Sequence, residues 1–116
     1  MPVPGHGRET PRQMAIKRMT RVEFDRFEPQ RAAEAEEVFE EVEWFRDEGR
    51  TVIAVLARHR ADDDWAYAVL GRDEHGTFRA FENEVGFPGP DEARTELLGL
   101  MEHVVAAGIS VFPQAD

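Results

Sequence analysis

The chain has no cysteine and a single serine, Ser110. Without cysteine there is no disulfide framework, no thiolate nucleophile and no cysteine-based zinc site. With one serine, placed near the C-terminus, a Ser–His–Asp triad is all but excluded. No apolar run approaches the length of a membrane span, and the N-terminus lacks the hydrophobic core of a signal peptide. A cytoplasmic location follows by default. Glycine-rich phosphate cradles and His-x-x-His or His-Glu-x-x-His patterns are missing as well. Basic charge is scarce: 24 acids stand against 14 bases, a formal net charge of −10. That balance argues against direct, nonspecific binding to nucleic acid or to an anionic membrane. It fits a soluble protein, or a protein that meets a basic partner.

What remains is enough for one domain. A chain of 116 residues can build one modest core but not two. The stretch from Trp44 to Glu84 organises it. Three apolar runs, Thr51 to His59, Trp65 to Gly71 and Thr77 to Asn83, are each preceded by a polar turn. That is the pattern of an antiparallel β-meander. Asp47-Glu48-Gly49-Arg50 and Asp73-Glu74-His75-Gly76 place glycine where a tight turn calls for positive φ. Arg60 to Asp64 lacks glycine and predicts a looser loop. A short strand through Glu43, Trp44 and Phe45 completes four.

The first two runs are apolar at both parities. Ile53, Val55 and Ala57 face one way and Val52, Ala54 and Leu56 the other; Trp65, Tyr67 and Val69 oppose Ala66, Ala68 and Leu70. Such strands are central and covered on both sides. Trp65 is expected to be largely buried against the second helix.

Two helices flank the meander. Ala32, Ala35, Phe39 and Val42 recur at helical spacing and predict a first helix over 30–42, its outer surface crowded by Glu34, Glu36, Glu37, Glu40 and Glu41. Pro90, Asp91 and Glu92 favour a helix start. Ala93, Leu97, Leu100, Met101 and Val104 supply the stripe, and Gly108 the stop. The segment 109–116 reads as an extended tail. Residues 1–18, with three prolines and two glycines, read as a flexible leader, and residues 19–116 as a single domain. The fold expected is therefore α+β: helix, four-stranded antiparallel meander, helix, with both helices packed on one sheet face. The small residues Ala54, Ala66, Ala68 and Ala80 would allow a helix to approach closely.

The chemistry-bearing residues point to no catalytic site. Asp62, Asp63 and Asp64 lack the alternation of a calcium loop and read as a polar hairpin loop. His59 and His75 fall at opposite ends of a strand and do not meet on one metal. Glu82 and Glu84, two apart on a strand, could pair for acid–base work, yet no partner base accompanies them. The aromatic residues Trp44, Phe45, Trp65, Tyr67, Phe78 and Phe81 read as core rather than as a base-stacking platform. No cofactor or metal is implied.

Two helices on one sheet face leave the other bare, so an apolar surface is expected there. The candidate interaction surface comprises Ile53, Val55 and Tyr67, with Glu36, Glu37 and Glu40 as an acidic docking face. A homodimer or another protein is the expected cover; a fold-back of 1–27, carrying Val22, Phe24 and Phe27, is the rival. The function expected is a noncatalytic protein-interaction or regulatory module. The alternative is a small-molecule sensor or enzyme with a pocket between sheet and helices.

The segments EWFRDEGRTVIAVL, DDDWAYAVLGRDEHGTFRAFE and VFPQAD resemble the N-terminal module of an uncharacterised bacterial family. Its members carry a W-[YF] stretch, then D-W-x-[YF]-V-[VA]-L-G-R-D-E-x-G-x-F-R-A, then V-F-P-Q-G-D. Trp44 to Val55, Asp64 to Ala80 and Val111 to Asp116 carry the correspondence, with Ala115 where the family has glycine. Larger members continue into a region resembling a PD-(D/E)xK-type nuclease fold, which this sequence does not contain. The resemblance implies a mobile-element or defence setting and carries over no catalytic residue.

Overall fold

A computed structural model describes residues 16–31 and 33–108. The first fifteen residues of the expected leader lie outside that range, as do Ala32 and the whole tail 109–116 with Ser110 and the VFPQAD motif. Among the described residues there are five strands and three helices. In chain order they are β1 (Ile16–Met19), α1 (Arg21–Asp25), α2 (Ala33–Val38), β2 (Phe39–Asp47), β3 (Val52–His59), β4 (Trp65–Arg72), β5 (Phe78–Phe87) and α3 (Pro90–Ala107). The strands form one antiparallel sheet in the order β1-β2-β3-β4-β5. The class is α+β, with one strand more than the sequence pattern shows. The additional strand, β1, begins inside the expected leader and pairs Met19 with Trp44 and Ile16 with Asp47.

The second departure is at the first helix. Helix α2 ends at Val38, and Phe39, Glu40 and Glu41 are already strand. Pairing to β3 outweighs local helix propensity here. Phe39 sits opposite His59, their rings 5.2 Å apart edge to face, and Glu40 accepts a 2.7 Å bond from Arg58. Val42 is the extra residue of a β-bulge, since Glu41 opposes Ala57 while Glu43 opposes Leu56.

β3 is the centre of the molecule: Val52 through Ala57 are all buried. Their alternation divides the core into two layers, as the two-sided pattern requires. Val52, Ala54, Leu56, Phe45, Tyr67 and Val69 pack under α3 through Ala93, Leu97 and Met101. Ile53, Val55, Leu70 and Phe78 form the other layer with Met19 and Phe24. The helices therefore do not share a face. α3 covers one side, and α1, by Phe24 and the neighbouring Phe27, covers part of the other. Ala54 lies in the α3 layer, where close approach was expected. Ala66, Ala68 and Ala80 do not, as described below.

α3 is the helix the sequence announces. Pro90 opens it and Asp91 and Glu92 sit at its positive end. Ala93, Leu97, Met101 and Val104 are buried on one stripe, and Gly108 stops the helix at φ 64°. Leu97 and Met101 are fully buried, each side chain contributing about 1.5–3 kcal/mol of transfer free energy.

The two turns at one end of the sheet are built alike. In each, an aspartate carbonyl accepts from the amide three residues on: Arg50 to Asp47 at 3.1 Å and Gly76 to Asp73 at 3.0 Å. The aspartate Oδ1 accepts from the amide four residues on, Thr51 at 2.6 Å and Thr77 at 3.0 Å. The residue three beyond the aspartate is left-handed in both. In the second turn it is Gly76, φ 80°, as expected; in the first it is Arg50, φ 60°, and not Gly49. A left-handed arginine costs about 1–2 kcal/mol where glycine would cost nothing sterically.

Candidate interaction groove

The α1 side of the sheet is incompletely covered, and an apolar groove of about 290 Å³ runs along it. Val55 and Ala57 of β3 and Ala66, Ala68 and Leu70 of β4 form its floor, continued by Ala80 of β5. Three of these alanines, Ala66, Ala68 and Ala80, are small residues expected to let a helix approach closely. Their short methyl side chains leave a channel open instead. One wall is Phe24, Gln30 and Arg31. Ala35 and Glu36 of α2 and Phe39 of β2 continue it. At the rim Val85 is 64 % exposed, with Asn83 beside it.

Arg31 and Glu41 make the polar part of the wall. Arg31 Nε donates to Glu41 Oε2 at 2.8 Å and Nη2 to Oε1 at 2.9 Å, a two-point ion pair. Nη2 also reaches Asp25 at 2.9 Å, the guanidinium stacks over the Phe24 ring, and Trp44 Nε1 donates to Glu41 at 3.1 Å. Burial alone would raise the Glu41 pKa. The hydrogen bonds from Arg31 and Trp44 and the Arg31 charge outweigh it, and the carboxyl is held below its ordinary value. Arg31 is held above its own, chiefly by the Glu41 bond. Both charges are satisfied by each other, so neither offers a free group for chemistry in the groove. The other polar side chains of the lining are the amides of Gln30 and Asn83 and the exposed carboxylate of Glu36.

The residues expected to form one interaction surface fall in several places. Ile53 is fully buried beneath Met19 and Phe24, and Tyr67 is buried on the opposite face under α3. The structure does not bring those two together, because the face expected to be bare is closed partly by α1. Val55, 8 % exposed, lies in the groove floor, and Tyr67 also contributes to the lining from β4 although it packs in the α3 layer. Of the acids, Glu40 is taken up by Arg58, which lowers its pKa first by a hydrogen bond and then by its charge. Glu36 and Glu37 are exposed on α2 and have no ion-pair partner among the described residues, and Glu36 lines the groove.

Glu82 and Glu84 do share a face, opposite Val69 and Tyr67. They flank the Tyr67 hydroxyl, which lies 3.4 Å from Glu96. Burial and then the charges of Glu96, Glu84 and Glu82 push the Tyr67 pKa up to about 12, so the phenol stays neutral and these acids find no base. His59 Nδ1 accepts the amides of Ala61 and Asp62 at 3.2 and 3.1 Å and so organises the acidic loop. Among the described residues no three metal-ligating groups converge, and no helix is long and apolar enough to cross a membrane.

No protein-family model matches the chain, and no curated protein or solved structure matches it.

Proposed function

We propose that the chain is a noncatalytic protein-interaction module whose groove seats an apolar segment of a protein partner. The open alanine floor between α2 and β5 is the observation that supports this reading. A preformed apolar channel with its one strong ion pair internally satisfied rewards burial of apolar side chains and gives no purchase for acid–base catalysis. The uncompensated Glu36 and Glu37 favour a partner with basic residues flanking its apolar segment.

The test is occupation of the groove by substitution. Ala80 is exposed on the groove floor, so Ala80→Trp fills the channel without entering the core. A photo-crosslinker at Val85 in the native host should trap one dominant protein with the parent chain and none with Ala80→Trp. Trapping that is unaffected by Ala80→Trp sinks the reading. A second copy of the chain is one such protein, and sedimentation distinguishes it. A dimer of the parent that dissociates in Ala80→Trp puts a second copy in the groove.

A second reading has its own support. The groove lies between sheet and helices, at the small end of ligand-pocket volumes, and Gln30 and Asn83 could orient a small apolar molecule. Native mass spectrometry of the purified chain would then show a bound species of small mass that Ala80→Trp lacks.

A further inference from the structure

A second groove, wider and wetter, lies at the end of the sheet where the two aspartate-anchored turns meet α1. It encloses about 630 Å³ and is lined by Thr20, Val22, Glu23, Arg26, Phe27, Glu28, Arg50, Arg72, Gly76 and Phe78. Three arginines around one opening would be unremarked in a basic protein. In this acidic chain the rest of the arginines show what is unusual. Arg18, Arg21, Arg31, Arg46, Arg58, Arg79 and Arg94 each hold a carboxylate. Arg26, Arg50, Arg60 and Arg72 hold none among the described residues, and three of these four line the groove.

Two further observations single out the same place. Arg72 is not free to swing: its guanidinium stacks over Phe78 at 4.6 Å and reaches the Gly76 carbonyl at 3.4 Å. Arg50 occupies the left-handed position that its twin turn gives to Gly76, and strain of that kind gathers where a side chain is wanted for function. The carboxylates that line the groove do not cancel the charge. Glu23 is engaged by Arg46 at 3.2 Å, which leaves Glu28 alone against the three guanidiniums.

We propose that this groove binds a phosphate-bearing small molecule through Arg26, Arg50 and Arg72. Planar guanidiniums match phosphate oxygens in pairs. An excess of two positive charges fits a doubly charged phosphate better than a single carboxylate. Val22, 62 % exposed, and the half-buried Phe27 give the organic body of the ligand an apolar side to rest on. The site is separate from the alanine groove and stands whether or not that groove holds a protein.

The experiment titrates the full chain with pyrophosphate at pH 7.5 and follows amide shifts, with tricarballylate as a carboxylate of like charge. Saturable shifts are expected at Arg50, Arg72 and Gly76. Arg50→Gly should weaken binding by about tenfold or more, as for loss of a charge-assisted contact, with no fall in Tm because glycine suits that φ. Arg60→Gln, outside the groove, should change nothing. Absence of saturation by about 10 mM pyrophosphate, a very weak Kd, overturns the proposal. So does an equal loss in Arg60→Gln, which would show charge alone at work. Tricarballylate binding as tightly as pyrophosphate overturns the assignment to phosphate.

Discussion

Arg31 and Glu41 clasp one another at 2.8 and 2.9 Å across the gap between the chain leaving α1 and strand β2. They hold the wall of the alanine groove at a distance of ten residues. Removing one partner strands the other in a partly buried setting. Glu41→Ala should lose about 1–3 kcal/mol, less than a fully buried pair because Arg31 keeps Asp25 and some solvent. Arg31→Lys should recover little, since an ammonium cannot make the two-point contact. Urea denaturation of the two variants measures both; a loss below about 0.5 kcal/mol for Glu41→Ala would contradict this account of the wall.

The same pair gives a pH signature. Glu41 and Glu43 have folded pKa values below the 4.5 of the free side chain, Glu43 chiefly through its bond to Arg94. Near and below pH 4.5 the unfolded chain therefore binds more protons than the folded one, and stability falls as the solution is acidified. The contribution is complete above that pH. Glu41→Gln should flatten the acid limb of a stability–pH curve as the pH falls through and below 4.5. A limb as steep as that of the parent would show that other groups dominate it.

Asp47 is buried at 3 % exposure and accepts from Thr51 N, Thr51 Oγ1 and Val52 N. Asp47→Ala should cost about 2–4 kcal/mol, the loss of charge-assisted bonds plus unsatisfied amides. Asp73 shares only the bond from the amide four residues on, accepting otherwise from His75 N and Arg79 Nε, and it is less buried than Asp47, so Asp73→Ala should cost less. Hydrogen exchange at Thr51 and Val52 should quicken in Asp47→Ala; if Asp73→Ala is the more damaging variant, burial is not what separates the twin turns.

Trp65 is half-buried at the edge of the α3 layer, whereas Leu97 is fully enclosed in it. Trp65→Ala should therefore cost about 2–3 kcal/mol and Leu97→Ala about 3–5 kcal/mol, despite the larger ring. Chemical denaturation that ranks the two the other way round would mean that the indole packs more tightly on α3 than its exposure indicates.

Residues 52–57 could be read from sequence because an apolar run at both parities has few other outcomes in a short, turn-bounded segment. The α3 stripe was legible for the same reason, Ala93, Leu97, Met101 and Val104 keeping one period under clear start and stop residues. Phe39 to Val42 was not. Its spacing from Ala35 fits a helix, glutamates favour one, and the deciding partners, His59 and Arg58, lie far along the chain. Ile16–Met19 was hidden among prolines, glycines and basic residues, since an edge strand needs a partner more than a pattern. The alanines of the groove were visible, but whether small residues admit a helix or leave a channel depends on where the helices go. Arg26, Arg50 and Arg72 carry a weaker signal: each follows or precedes a turn, and only the fold brings those turns together.

Each strand of the sheet pairs with its neighbour in sequence, with no crossover. Contacts of short sequence separation allow hairpins to zip in the order in which the chain is made, and such topologies fold quickly. α3 is the last described element to be synthesised, and it alone roofs Ala54, Leu56 and Val69. A nascent chain stalled before residue 90 would thus carry a nearly complete sheet with one apolar face open to water. The interval between β5 and α3 is when this protein is most exposed to chaperones and to misassembly on the ribosome.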